Sequence, residues 1–339
     1  KYKFNPEQKS LGRHGYISTR NYELDSGCYY IRMLYRFWKV SSSDESVLRD
    51  RETIDAVRIL IELWRSEQHH EENEVARSEL FDCVNCGKPY RYKKLSRNGK
   101  GSKTKYTGMT YSPYRPSDDA QQYGFLVPSN MFAVSALRMV VEMADNLWHD
   151  TSISNSARDL ANDIETGIRQ HGIVQHKGKH IYAYEVDGLG HYNLMDDANI
   201  PSLMAIRTCS LCVCLSVSLS LSSTHTHTQT TAYIAPGAYD PEIYEATRDF
   251  VLSRDNPHFH QSKNGKILGI GSPHMAKQIK DNIWPMSLMA QGLTSPSLEE
   301  KKRLVQMILD TTGGTGWMHE SFSANNPKKF TRKWFCWAD

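Results

Sequence analysis

The sequence predicts an all-α domain, on three observations. Apolar residues recur at helical spacing in seven stretches. Strand signals are few. No Gly-x-Gly-x-x-Gly turn, phosphate loop or regular strand–helix alternation marks a nucleotide-binding α/β fold. With 339 residues the chain suffices for one large domain or two ordinary ones. Helix pairs packed around a centre would gather their polar, Gly-rich connectors at one end.

The elements follow in order. Glu23 to Lys39 sets Leu24, Cys28, Ile31, Leu34, Tyr35 and Trp38 on one side, the period of a half-buried helix. Glu52 to Ser66 repeats the pattern with Ile54, Val57, Leu60, Ile61 and Trp64. Asn130 to Trp148 follows Pro128-Ser129, a helix-start signal, with Met131, Val134, Leu137 and Val141 as its stripe. Ser154 to His171 runs to Gly172, a helix-ending residue. Asp240 to Ser253, Ile283 to Gln291 and Ser297 to Asp310 complete the set, and both Asp240-Pro241 and Ser297 read as helix starts. Lys179 to Val186 is the one clear strand signal, a short hairpin arm before the Asp187-Gly188 turn.

Composition excludes several function classes. The 41 basic and 38 acidic residues leave a net charge of +3, which gives no electrostatic case for nucleic acid or an anionic membrane. No apolar run is long and uniform enough to span a bilayer. The basic stretch from Tyr90 to Lys105 reads as a solvated loop. Seven cysteines in a chain this long do not make a disulfide framework. Cys83 and Cys86 form a lone Cys-x-x-Cys with no second pair, so two free thiols are expected rather than zinc, although His69 and His70 stand near in sequence. Neither metal nor cofactor is expected. The chain begins at Lys1 with residues that read as mid-protein, so it is expected to be a fragment, and compartment and oligomeric state are not legible.

Residues 207–230 (RTCSLCVCLSVSLSLSSTHTHTQT) stand apart. They alternate strictly in Val/Cys, then Leu/Ser, then Thr/His. Translated dinucleotide repeats of GT, CT and CA give these three patterns in turn. The segment is therefore expected to be a low-complexity insertion, disordered or a gene-model artefact. A half-buried strand over Leu215 to Leu221 and a Thr-His metal tract are the rival readings.

Chemistry concentrates in five connectors: Tyr111–Asp119, Tyr184–Asn199, Gly269–His274 leading to Trp284, Gly313–Phe322 and Phe330–Trp337. Each sets acids, His, Asn or Arg beside aromatic rings, and loops on a rigid scaffold are where binding residues gather. Two of them carry separated carboxylates, Asp118 and Asp119 in one and Glu320 in the other. Glycoside hydrolysis needs such a pair, one group to protonate the leaving oxygen and one to activate water or attack carbon. The competing readings are structural. Asp118-Asp119 and Asp196-Asp197 could each cap a helix, because acids are stabilised at a helix N-terminus. His319 could be a satisfied structural histidine. Glu320 follows a Gly-rich loop and has no evident capping duty.

The stretches GMTYSPYRPSDDAQQYGFLVPSNMFAV, YAYEVDGLGHYNLMDDANIPSLMAI, TRDFVLSRDNPHF, IGSPH, IWPMSLMAQGLTS, GTGWMHESF and FTRKWFCWA resemble the motifs of glycoside hydrolase family 125, the exo-α-1,6-mannosidases. The resemblance covers nearly the whole chain apart from the repeat tract and residues around 67–100. It implies a single (α/α)6 toroid of helical hairpins over residues 1–339. It also implies an inverting mechanism without metal and an α-1,6-mannoside glycan as substrate. By the same resemblance Glu320 is the general base, and the general acid is Asp119 or Asp118, with Asp119 slightly ahead. Arg115, Asp187, Asn199, His274 and His319 are the expected sugar-binding residues, and Trp284 the stacking wall. The family's N-terminal Trp-Leu-Arg-Asp-Ser motif is missing, so about the first quarter of the domain is expected to be absent, and the C-terminal helix is cut short. The alternatives are a non-catalytic mannose-binding or scaffold relative with an incomplete pocket, and a toroid glycosidase for another sugar.

Overall fold

In the computed structural model, residues 22–41, 45–73, 95–207 and 238–338 are described. Cys83, Cys86, residues 208–230 and most of the basic stretch's start (90–94) lie outside them, so the thiol and insertion readings do too.

Helix α1 (Leu24–Val40) turns Leu24, Cys28, Ile31 and Leu34 inward. The short α2 (Ser46–Arg49) precedes α3 (Arg51–Gln68), which buries Val57, Ile61 and Trp64. Helix α4 (Val127–Met143) is the central element. Every residue from Val127 to Leu137 is buried, so it reads as apolar on all sides rather than striped. It packs against α1 and against α5 (Thr151–His171). Each fully buried Leu or Ile in this core contributes about 1.5–3 kcal/mol. Helix α6 (Pro241–Val251) closes the main core, and α7 (Pro285–Thr294) with α8 (Leu298–Asp310) forms a hairpin around Leu288, Leu304 and Met307.

Capping explains where several helices begin. Asp150 accepts from Ile153 N, Asp240 from Glu242 N and Ile243 N, and Ser297 from Glu300 N. Helix α4 begins three residues before its expected start. Pro128 does not stop it, because a proline in the first turn forfeits no intrahelical bond. Asn130 is fully buried and instead holds the incoming chain, accepting from Thr110 N at 2.8 Å and donating to Thr110 O at 3.1 Å. Helix α4 ends in a π-helical turn, Ala144–Trp148.

The domain is helix-rich, and its connectors hold ten short strands among the described residues where one hairpin arm was expected. Strands β2 (Ile173–His176) and β3 (Lys179–Tyr182) form that hairpin, and β6 (Phe259–Gln261) pairs with β7 (Leu268–Ile270). One three-stranded sheet orders β1 (Phe125–Leu126), β4 (Glu185–Val186) and β5 (Tyr192–Asn193). The other orders β10 (Asn326–Thr331), β9 (Ser321–Ser323) and β8 (Asn282–Ile283).

These sheets tie the connectors together. Opposite β1, Glu185 is fully buried and pairs with Arg115 Nε at 2.5 Å. Its other oxygen accepts from Gln122 N and Tyr123 N. The loop from Arg115 to Tyr123 is thereby anchored at both ends. Removing one partner of a buried ion pair costs about 3–5 kcal/mol, because the other charge is left uncompensated. We expect R115M to lose about that much in urea unfolding. R115M/E185Q, which keeps an acceptor for the two backbone N–H groups and removes the orphaned charge, should recover most of it. Equal losses in the two variants would contradict this account of the loop.

Candidate active site

The register of the two sheets decides which side chains meet. Ser321 opposes Thr331, so Glu320 and Arg332 emerge together just beyond the ladder, with Arg332 Nε 3.2 Å from Glu320 Oε1. Ile283 opposes Phe322 and brings Trp284 to the same edge. Asn282, fully buried, accepts from Trp284 Nε1 at 3.0 Å and from Ser272 N at 2.9 Å, which locks Trp284 beside the short turn Pro273–Met275. Gly271 permits this, since a Cβ there would lie 2.0 Å from Asn282 O. Gly271 O in turn accepts from Ala198 N and positions Asn199.

These segments and the start of α1 enclose a cleft of about 440 Å³. Glu23, Asp25, Ser26 and Tyr29 from α1 form one wall with Pro116, Ser117 and Asp118. Asn199, Ile200, His274, Trp284, Met286, Glu320, Arg332, Phe335 and Trp337 form the rest. Three carboxyl groups (Glu23, Asp25 and Asp118) thus share one cavity with Glu320. Asp118 sits at φ +62°, in the left-handed region, with its N–H bonded to Arg115 O at 2.9 Å. Strained backbone of this kind costs about 1–3 kcal/mol and persists where the surroundings over-determine it. Ser117 Oγ donates to Asp197 at 3.1 Å, and the same carboxylate accepts from the Asn199 side chain at 2.9 Å, so buried Asp197 braces both cleft segments.

The expected site residues divide. Asp118, Asn199, His274, Trp284 and Glu320 line the cleft. Asp119 is not among the lining residues; its carboxylate faces His274 Nδ1 at 3.4 Å. Arg115 is buried in its pair with Glu185 and stands over the Tyr184 ring. Asp187 accepts from Leu189 N, His191 N and His191 Nδ1, which spends its oxygens on its own turn. His319 is buried against the Phe330 ring, its two nitrogens facing Arg332 O and Thr312 O. It holds the segment that carries Glu320 rather than reaching the cavity. Sequence reasoning did not choose Glu23, Asp25 or Arg332 as site residues, and it weighed Asp197 without choosing it. The available signal was Glu23-Leu24-Asp25, two acids flanking an apolar residue at a helix start.

The protonation states follow from this crowding. Burial, with the charges of Asp25 and Asp118 beside it, pushes the Glu23 carboxyl up to about 9. Burial likewise pushes Asp25 up to about 7, against the backbone N–H groups that favour its anion. The hydrogen bond that His274 donates to Asp119 holds His274 above its ordinary value. Among the described residues no group of three or more His, Cys, Asp or Glu side chains is placed to hold a metal ion. No described helix is long and apolar enough to cross a membrane.

The family model described as metal-independent alpha-mannosidase (GH125) matches residues 5–339. The chain belongs to glycoside hydrolase family 125. Among its GH125 relatives is the meiotically up-regulated gene 157 protein of Schizosaccharomyces pombe (strain 972), 32% identical over 323 residues. That match covers 94% of this chain, and the chain spans 57% of the relative's length. A solved structure of a Streptococcus pneumoniae metal-independent alpha mannosidase, a non-productive complex with alpha-1,6-mannobiose, is also similar. It is 35% identical with a TM-score of 0.78, covering 96% of this chain and 68% of that one.

Glu23 binds its proton more tightly folded than unfolded, so its contribution to stability is fully present below about 4.5 and is lost as pH rises through about 9. Asp25 acts in the same direction over a lower window, from its ordinary 3.8 to about 7. We expect thermal melts to show Tm falling across this range in wild type, and E23Q, which cannot ionise, to flatten the upper part of the fall. An unchanged slope in E23Q would show that Glu23 does not carry it.

Proposed function

We propose that this chain carries the catalytic cleft of an inverting exo-α-1,6-mannosidase, built as a single (α/α)6 toroid of helical hairpins. The observation that carries the reading is that Asp118 and Glu320, from connectors far apart in the chain, line one cleft. Family membership and the mannobiose bound by the pneumococcal relative support the sugar and the linkage. The cleft volume falls within the range of ligand pockets, about 300–1,000 Å³.

In this reading Asp118 takes the acid role ahead of Asp119, whose carboxylate is turned to His274. Asp118 protonates the glycosidic oxygen as the bond to the anomeric carbon breaks. Glu320 removes a proton from water attacking the opposite face. An inverting pair leaves room for that water, with about 6.5–9.5 Å between carboxyl groups. Arg332, paired with Glu320, aims its carboxylate. Asn199 and His274 supply hydroxyl partners, and Trp284 a flat wall for the sugar's C–H face. None of these steps calls for a metal or a cofactor.

Incubation with α-1,6-mannobiose tests the reading. Wild type should release mannose, and E320Q should lose about 10²–10⁴-fold in kcat with little change in KM, the range for removing a general base. Binding of the disaccharide without hydrolysis by wild type would favour a non-catalytic relative instead.

A further inference from the structure

The proposed reaction leaves Glu23 without a role, although it lines the same wall as Asp118. Glu23 occupies the N-cap position of α1, yet its side chain makes no capping bond. Its carboxyl instead hydrogen-bonds the Asp118 side chain. An uncapped helix start forgoes about 0.5–2 kcal/mol, so this glutamate is poorly used as a structural residue.

Both ends of the contact are held. Leu24 is fully buried, and its N–H bonds Ser112 Oγ at 3.4 Å, which ties the start of α1 to the strand of chain leading into the Asp118 loop. Asp118 is fixed by its backbone bond to Arg115 O and by the anchored loop around it. Two carboxyl groups in hydrogen-bond contact cannot both be ionised, so one of them is a donor. Glu23 is faced by Asp25 from its own helix and by Asp118 from the loop, and the cleft they share also holds His274, Glu320 and Arg332. Two neighbouring acids and burial keep the proton on Glu23.

We propose that Glu23 is a positioning residue for the acid half of the reaction: a neutral carboxylic acid that donates a hydrogen bond to Asp118 and stabilises the carboxylate left when Asp118 gives up its proton. The inference rests on Asp118 being the acid. In the step, the O–H bond of Asp118 breaks and its proton passes to the glycosidic oxygen. The electron pair of the breaking C–O bond leaves with that oxygen. Glu23 keeps its own proton throughout, and its hydrogen bond tightens as Asp118 becomes charged, because bonds to an ionised acceptor are about twice as strong as neutral ones. The stabilisation is therefore realised in the transition state rather than in binding.

Leaving-group dependence separates this role from a structural one. The substrates are α-1,6-mannobiose, whose sugar leaving group must be protonated, and 2,4-dinitrophenyl α-mannoside, whose leaving group needs no acid. E23M keeps the side chain's length and removes the donor; E23Q keeps an N–H donor. We expect E23M to lose about 100-fold in kcat on mannobiose, the cost of removing one donor to a developing anion. Its rate on the dinitrophenyl glycoside and its KM for both should change little, and E23Q should recover most of the loss. If E23M does not fold by circular dichroism, E23Q and E23A are compared in the same way. D118N showing the leaving-group dependence while E23M shows none, or E23M losing equally on both substrates, overturns the inference and leaves the proposed function standing. Wild type that cleaves neither substrate overturns the proposed function itself.

Discussion

The ion pair between Arg115 and Glu185 is the constraint on which the site depends. It is buried, so its two charges are useful only to each other and to the backbone groups they bind. Glu185 belongs to a strand paired with the residues that lead into the central helix α4. Arg115 opens the loop that carries Ser117 and Asp118. The pair therefore fastens a chemically committed loop to the most deeply buried helix of the core. A loop held this way can keep Asp118 in the left-handed region, where an aspartate in a free loop would seldom stay.

Opposite that loop, a second set of constraints places the other half of the site. A three-stranded sheet of very short strands brings Trp284, Glu320 and Arg332 to one edge, and Asn282 locks the neighbouring turn. The starts of α1 and α7, the loop around Asn199 and this sheet edge converge on one cavity. The result is a space in which carboxyl groups outnumber the cations that could neutralise them. Burial raises Glu23 and Asp25 most, that imbalance adds to it, and together they are the condition under which a carboxyl group keeps a proton near neutral pH.

The helices were largely legible in the sequence because their stripes repeat over many residues. Caps at Asp240 and Ser297 were legible too, since a short polar side chain before a periodic run has a direct physical meaning. The strands were not, because elements of two to four residues are too short to display a period. For the site, residue type and loop context pointed to Asp118, Asn199, His274, Trp284 and Glu320. The same signals also pointed to Arg115, Asp187 and His319, which the fold uses internally. Their partners (Glu185, the 187–191 turn, and the carbonyls of Thr312 and Arg332) follow from tertiary pairing that no local pattern records. Glu23 and Asp25 were not chosen as site residues for the converse reason: at the head of an amphipathic helix, acids look like ordinary helix-start residues.

The central claim is that two carboxyl groups act from opposite faces of a bound mannoside. The anomeric configuration of the first product reports this directly. Proton NMR of α-1,6-mannobiose hydrolysis, followed from the earliest minutes, should show the β-mannose H1 signal appearing first and the α signal growing later by mutarotation. Appearance of α-mannose first would mean retention, and would contradict the opposed arrangement of Asp118 and Glu320.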